Sequence, residues 1–157
     1  MEENLSYIFR GENESMYSKN EGKLIPKGSY FVLPTKFGMR QFGTFKFGKS
    51  DRESERISLI NHQEGSNTSG VSFTPNFERA KFYALGNGKY DSGYIFVVDS
   101  NLLHKNKVTP FRIKDKAISY DIEVKIPEDE EIILVSFDDK ELSSNIIVEI
   151  LKVNSYE

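Results

Sequence analysis

Cysteine is absent from the 157 residues, which excludes disulfides, thiolate metal sites and a cysteine nucleophile. Histidine is almost absent too. His62 and His104 are the only two, too few for a multi-histidine centre, and no metal is expected. No apolar run approaches the roughly 20 residues that cross a bilayer as a helix, so no membrane role is expected. The opening MEENLSYIFRG lacks a basic n-region and an apolar h-region, and no secretory signal is predicted from it. The expectation is a protein that is cytoplasmic as synthesised. Delivery into another cell by a route without a classical signal stays open. Neither sign of charge dominates: 21 Lys and Arg stand against 24 Asp and Glu. A balance of this kind carries no footprint for duplex nucleic acid. Tryptophan is missing, yet 12 Phe, 8 Tyr and 11 Gly are present, a mixture that suits a β-rich fold with irregular loops. The length fits one domain over 1–157, large enough to bury a core without staples.

The chain is organised around Gly70 to Ala84, GVSFTPNFERAKFYA. Val71, Ser72, Phe73 and Thr74 alternate as a strand does. Thr74 reads as an N-cap and Pro75 as the first helical residue. Phe77, Ala80 and Ala84 then share one helical face, with Glu78 and Lys81 outside it. Gly86 and Gly88 end that helix, and Tyr94 to Val98 reads as a second, buried strand.

Before this unit, Leu5 to Phe9 reads as a short strand ending at Arg10-Gly11, which would aim the arginine into a cleft. Glu12 to Gly22 is a loop or short helix. Pro26, Gly28 and Pro34 keep Gly22 to Pro34 extended or turning. Thr35 to Gly48 alternates Phe37, Phe42, Phe45 and Phe47 with glycines. It is either a hairpin with its phenylalanines in the core, or a ligand-facing loop. In the second case the aromatics would stack on a ring while Lys36, Arg40, Lys46 and Lys49 hold phosphate. Ser50 and Glu53 form a capping box for a helix that ends near His62. After the unit, Asp99 to Lys107 suggests a short helix or turn, and Val108 to Ala117 a strand running into an exposed loop. Ile118 to Ile126 alternates cleanly and predicts a strand with Asp121 and Glu123 on its polar face. Pro127 to Glu131 is an acidic turn, Ile132 to Phe137 a strand, Asp138-Asp139 a turn, and Ile146 to Val153 the last strand. The class is α+β.

Four stretches stand in a suggestive order. They are Tyr7-Ile8-Phe9-Arg10-Gly11, then Ser72-Phe73-Thr74-Pro75 with Phe77, Ala80 and Tyr83-Ala84, then Gly93 to Asp99, then Asp121-Ile122-Glu123-Val124. Together they resemble the mono-ADP-ribosyltransferase family, in the branch similar to cholera toxin and pierisin. The resemblance implies a split, strongly curved, mixed β-fold around a cleft for NAD, which serves as co-substrate. It implies transfer of ADP-ribose to a macromolecular acceptor, protein rather than nucleic acid, by a toxin, an effector or a phage-type host modifier. Glu123 would be the catalytic carboxylate, because cleavage of the nicotinamide–ribose bond develops a cation that a carboxylate stabilises. Asp121 takes the place before it that faces the acceptor; the family has Glu or Gln there, and the shorter side chain leaves the target class open. Arg10, beside Gly11, would contact the NAD phosphates or brace the cleft. Ser72 would orient Glu123, and Thr74 would steady the same turn. Phe77 and Tyr83 are candidates to pack on nicotinamide, although their helical spacing also fits a core. His62, where the resemblance often shows a histidine, is expected to anchor a loop. The run Glu128-Asp129-Glu130-Glu131 also contains a Glu-x-Glu, but it follows Pro127 and ranks below Asp121 and Glu123. Two alternatives from other classes are a partner-binding module without turnover and an NAD glycohydrolase.

Overall fold

A strand over Tyr7–Asn13 (β1) lies antiparallel to one over Ser92–Asp99 (β3), and β3 pairs on its other side with Ile147–Asn154 (β6). A second sheet places Ile132–Ser136 (β5) between Gly70–Phe73 (β2) and Val108–Arg112 (β4), again antiparallel. Helices Glu14–Lys19 (α1), Gly48–Gln63 (α2), Phe77–Ala84 (α3) and Ile113–Tyr120 (α4) complete an α+β fold with a split β-framework. The computed structural model describes residues 7–28, 48–65 and 68–156, without the side chains of 48–54. The aromatic and basic stretch read over Thr35 to Gly48 therefore lies outside the described residues, apart from the first helical residue.

Two reciprocal backbone hydrogen bonds of 2.8 Å, between Phe9 and Thr74, join one sheet to the other. The inner faces meet in a shared core: Ile8, Phe96 and Val98 from the first sheet against Val71, Phe73, Ile132 and Leu134 from the second. On the far side of the second sheet, Ile133 and Val135 pack with Leu59 of α2 and with Phe111 and Ile113. Both faces of β5 are thus covered, which is why Ile132 to Val135 is apolar without alternation. On the far side of the first sheet, Ala80 and Ala84 of α3 are fully buried against Ile95 and Val153.

That last contact is backbone on backbone. A Cβ placed on Gly11 would stand 1.8 Å from the Ala80 carbonyl oxygen, and one on Gly93 would stand 2.3 Å from that of Ala84. Glycine on the strands and alanine on the helix let α3 lie directly on the sheet.

Several local expectations are corrected. β1 does not stop before Arg10 but runs through it to Asn13, whose side chain accepts the Met16 N–H and caps α1. The cap of α3 is Asn76, which accepts from the Glu78 and Arg79 N–H groups, and Pro75 precedes the helix. The Thr74 hydroxyl instead accepts the Asn76 N–H at 3.0 Å, so it shapes the entry turn. α2 begins at Gly48, which places Ser50 inside the helix rather than at its cap. β4 runs into helix α4, not into an exposed loop.

The strand expected over Ile118 to Ile126 does not form. Lys116, Ala117 and Tyr120 turn one half-buried face of α4 inward behind the buried Ile113, while Ile118 is 83% exposed. Helical spacing thus outweighs the alternation. Asp121 ends the helix in the left-handed region, at φ 57°. Beyond it, Ile122 and Val124 pack on the cluster around Leu59 and Phe111. The Gln63 side chain donates to the Glu123 carbonyl at 2.9 Å and accepts the Lys125 N–H at 3.1 Å. One amide side chain here does the work of a neighbouring strand.

Gly11→Ala should lower stability by about 3 kcal/mol or more, since neither the helix nor the strand backbone yields cheaply. Urea unfolding reads this directly. A midpoint equal to that of the wild type would mean that α3 does not rest on Gly11.

Candidate active site

The inter-sheet bridge at Phe9 and Thr74 sets Arg10 next to β2. Its Nη1 donates to the Ser72 carbonyl oxygen at 3.2 Å. Its Nε donates to Glu12 Oε2 at 2.8 Å, and Glu12 is itself 2% exposed. A third, weaker contact reaches Met16 Sδ at 3.7 Å. The guanidinium is held in place by its own strand and by the strand it faces.

His62 arrives from the last turn of α2. Its Nδ1 meets Thr68 Oγ1 at 2.6 Å and its Nε2 meets Ser72 Oγ at 2.8 Å. Gly70 makes room for the ring, because a Cβ there would stand 3.2 Å from Nδ1 and 2.4 Å from Ile133. The Ser72 hydroxyl donates to Glu131 Oε2 at 2.6 Å. With its proton donated toward the carboxylate in a hydrogen bond, Ser72 Oγ accepts from Nε2, which assigns the ring proton to that nitrogen; in the neutral ring Nδ1 then accepts from the Thr68 hydroxyl. The same Nε2 lies 3.4 Å from Glu131 Oε2.

Glu131 stands one residue before β5, whose pairing with β2 sets Ile132 against Phe73 and Ile133 against Ser72. The last residue of the acidic turn is thereby brought onto the hydroxyl of Ser72. Burial pushes the Glu131 carboxyl up. Hydrogen bonds from His62 and Ser72 and the nearness of His62 and Arg10 outweigh that and hold it below the ordinary carboxylate value. This is not the arrangement of a serine hydrolase. Carboxylate and hydroxyl meet the same ring nitrogen, and the hydroxyl spends its proton on the carboxylate, so Ser72 positions Glu131 and is not activated for attack.

These groups line a cavity of about 400 Å³, within the usual range for small-molecule sites. Of the residues singled out for the site in the sequence, Arg10, Gly11, His62, Ser72, Thr74 and Tyr83 line it. Gly11 does so as the point where α3 sits on β1. Phe77 does not; its ring packs edge-on against Phe9, 5.4 Å between centroids, as part of the α3 core. Asp121 and Glu123 are absent from the lining as well. Asp121 caps α4, and Glu123 is an exposed residue in the irregular segment that Gln63 pairs.

Their place on the wall is taken by Asp129 and Glu131. The signal was an acidic residue two positions ahead of a glutamate, placed directly before the apolar run that forms β5. Asp129 Oδ1 receives Arg79 Nε at 2.8 Å, and Oδ2 receives the Tyr83 hydroxyl. Burial first, and then the hydrogen bond and charge of Asp129, push the Tyr83 phenol up to about 12, so it keeps its proton and stays a donor. His62 proves to be more than a loop anchor, since it reaches both Ser72 and Glu131. Sequence spacing could not show that, because the contact needs α2 folded across β2.

The low carboxyl of Glu131 makes a pH prediction. The unfolded state takes up this proton near the ordinary value of 4.5, and the folded state only at lower pH. Glu131 therefore stabilises the fold above that value and loses its contribution as pH falls through the folded one. Urea stability of the wild type should drop more steeply than that of Glu131→Gln between about pH 5 and pH 3. Parallel curves would mean that the Ser72 and His62 contacts do not favour the ionised form.

Residues 7–126 fit the family model described as NarE, a span that covers most of the chain, includes Arg10, His62, Ser72, Tyr83, Asp121 and Glu123, and stops short of Asp129 and Glu131. No curated protein matches.

Proposed function

The chain belongs to the NarE family, which is ADP-ribosyltransferase-like, and from that premise we propose that it is an NAD-dependent mono-ADP-ribosyltransferase that modifies a macromolecule and releases nicotinamide. The observation that carries the reading is the Ser72–Glu131 pair beside Arg10 in one cavity of suitable size.

In this reading the bond between ribose C1′ and the nicotinamide nitrogen breaks, and its electron pair leaves on nicotinamide. Glu131 stabilises the positive charge that develops on the ribose, as a preorganised carboxylate does best where water is excluded. The acceptor's nucleophile forms the new bond to C1′, and its proton passes to Glu131 or to solvent. Ser72 and His62 keep the carboxylate ionised and aimed. Arg10, braced by Glu12, offers its remaining donors to the phosphates of NAD. Gly11 and Thr74 shape the wall next to it, and the Tyr83 ring closes one side of the cavity where nicotinamide would lie. The catalytic role goes to Glu131 in preference to Glu123, with Asp129 in the place first given to Asp121.

The finer reading keeps the branch similar to cholera toxin and pierisin, and with it a toxin, effector or phage-type host modifier that is cytoplasmic as made. Its acceptor is taken to be a protein rather than a nucleic acid, in keeping with the balanced charge of the chain.

The deciding experiment is nicotinamide release from NAD by the purified protein, with and without a cell lysate. Glu131→Gln should cut release by roughly 100-fold or more, and Glu123→Gln by no more than a few-fold. The reverse ranking would return the catalytic role to Glu123. Release that is indifferent to lysate would support NAD hydrolysis in place of transfer. No release by the wild type, together with no thermal shift in NAD, would leave a binding module.

A further inference from the structure

The run of hydrogen bonds that ends on Glu131 starts at a backbone amide. Gly70, the first residue of β2, donates its N–H to Thr68 Oγ1 at 3.2 Å. Thr68 is 4% exposed, and its carbonyl oxygen is tied down by the Gly28 N–H at 2.8 Å. Apart from Gly70, its hydroxyl has one partner among the described residues, His62 Nδ1 at 2.6 Å. A hydroxyl carries a single proton, and a buried one needs an acceptor. The amide meets the oxygen, so the proton goes to Nδ1. That leaves the ring proton on Nε2, the same tautomer that the Ser72 end requires, and the two ends reach it independently. The opposite tautomer is costly at three points. The Thr68 proton would have no acceptor among the described residues. Nε2 would draw the Ser72 proton to itself. Ser72 Oγ and Glu131 Oε2, 2.6 Å apart, would then face each other with no proton between them.

We propose that Thr68 is a positioning residue: its hydroxyl fixes the tautomer of His62, and that tautomer directs the Ser72 proton onto Glu131. The Gly70 N–H, the Thr68 O–H, the His62 Nε2–H and the Ser72 O–H then all point the same way, toward the carboxylate. Donors aligned in this way polarise one another, so each bond strengthens the next. Without the Thr68 hydroxyl, His62 can take either tautomer, and in one of them Glu131 loses the donor that aims it. Thr68 acts through His62 and Ser72. Its effect on turnover rests on the transferase reading above, whereas the arrangement of protons does not.

The test is long-range proton–nitrogen correlation NMR on the full chain with isotope-labelled histidine, at about pH 8, where an ordinary imidazole is neutral. His62 and His104 are the only two rings, and His104→Gln tells them apart. In the wild type, His62 should show a protonated Nε2 and a bare Nδ1. Thr68→Val, which keeps the branched shape and removes the hydroxyl, should give a mixture or the opposite tautomer. Thr68→Ser should restore the wild-type form. Nicotinamide release should follow the same order: in Thr68→Val, kcat falls roughly tenfold, the worth of about one hydrogen bond, while KM for NAD changes by less than about threefold. Thr68→Ser should recover most of the lost rate. A wild-type His62 with a proton on Nδ1 overturns the proposal, and so does a folded Thr68→Val that keeps the wild-type tautomer. A change of tautomer with kcat untouched removes the positioning role. The wild-type spectrum decides even if Thr68→Val does not fold. NMR needs no turnover. A wild type that releases no nicotinamide under any condition therefore sinks the transferase reading separately, while the tautomer is judged on the spectra.

Discussion

Two backbone hydrogen bonds between Phe9 and Thr74 hold the site together. They are the bridge between the sheets, and each of the main cavity groups is placed relative to it. Arg10 follows Phe9 on one strand, and Ser72 precedes Thr74 by two on the other. The arginine can therefore reach the Ser72 carbonyl, and the Ser72 hydroxyl is left to turn toward Glu131. A side chain and a carbonyl 62 residues apart in sequence come within hydrogen-bond distance because one bridge sets the relative position of two sheets. The close approach of α3 at Gly11 and Gly93 secures the same strand from behind.

The polar groups around the cavity form a nearly closed account. Thr68, His62, Ser72 and Glu131 make one continuous chain of hydrogen bonds, and Arg10 with Glu12 makes a second. A buried network of this kind is stable only when almost every member is satisfied. Glu12 Oε1 is the exception: it is buried and has no hydrogen-bond partner among the described residues. The adjacent Arg10 charge offsets that cost, since the other carboxylate oxygen is only 2.8 Å from Nε. The arrangement holds the Arg10 guanidinium stationary at the cavity wall.

The wall that carries Glu131 is built from short irregular pieces rather than from a strand. A single turn of 3₁₀ helix over Pro127–Asp129 and a left-handed Glu130, at φ 46°, deliver Glu131 to the start of β5. Such a path has few backbone hydrogen bonds of its own. Side chains supply the fastening instead: Gln63 of α2 pairs residues 123 and 125, and Arg79 and Tyr83 of α3 hold Asp129. Helices packed on opposite faces of the fold thus converge on one loop.

Local sequence determined the elements whose cause is local. The apolar run expected over Ile132 to Phe137, the Ala80 and Ala84 face of α3, the glycines after it and the buried β3 were all legible, because burial and turn chemistry act through neighbours in the chain. Arg10, Ser72 and Thr74 were legible as candidates for a cleft as polar groups at strand ends, whereas Tyr83 was a candidate only through the family resemblance, as an aromatic. Tertiary structure alone decided which acidic pair lines the cavity. Asp121-Ile122-Glu123 and Asp129-Glu130-Glu131 have the same spacing. Alternation favoured the first, but Ile113, Ala117 and Tyr120 share a helical face that turns the chain before Asp121, and pairing of β5 with β2 lays Glu131 on Ser72. That pairing joins residues 59 apart, and no pattern within one segment contains it.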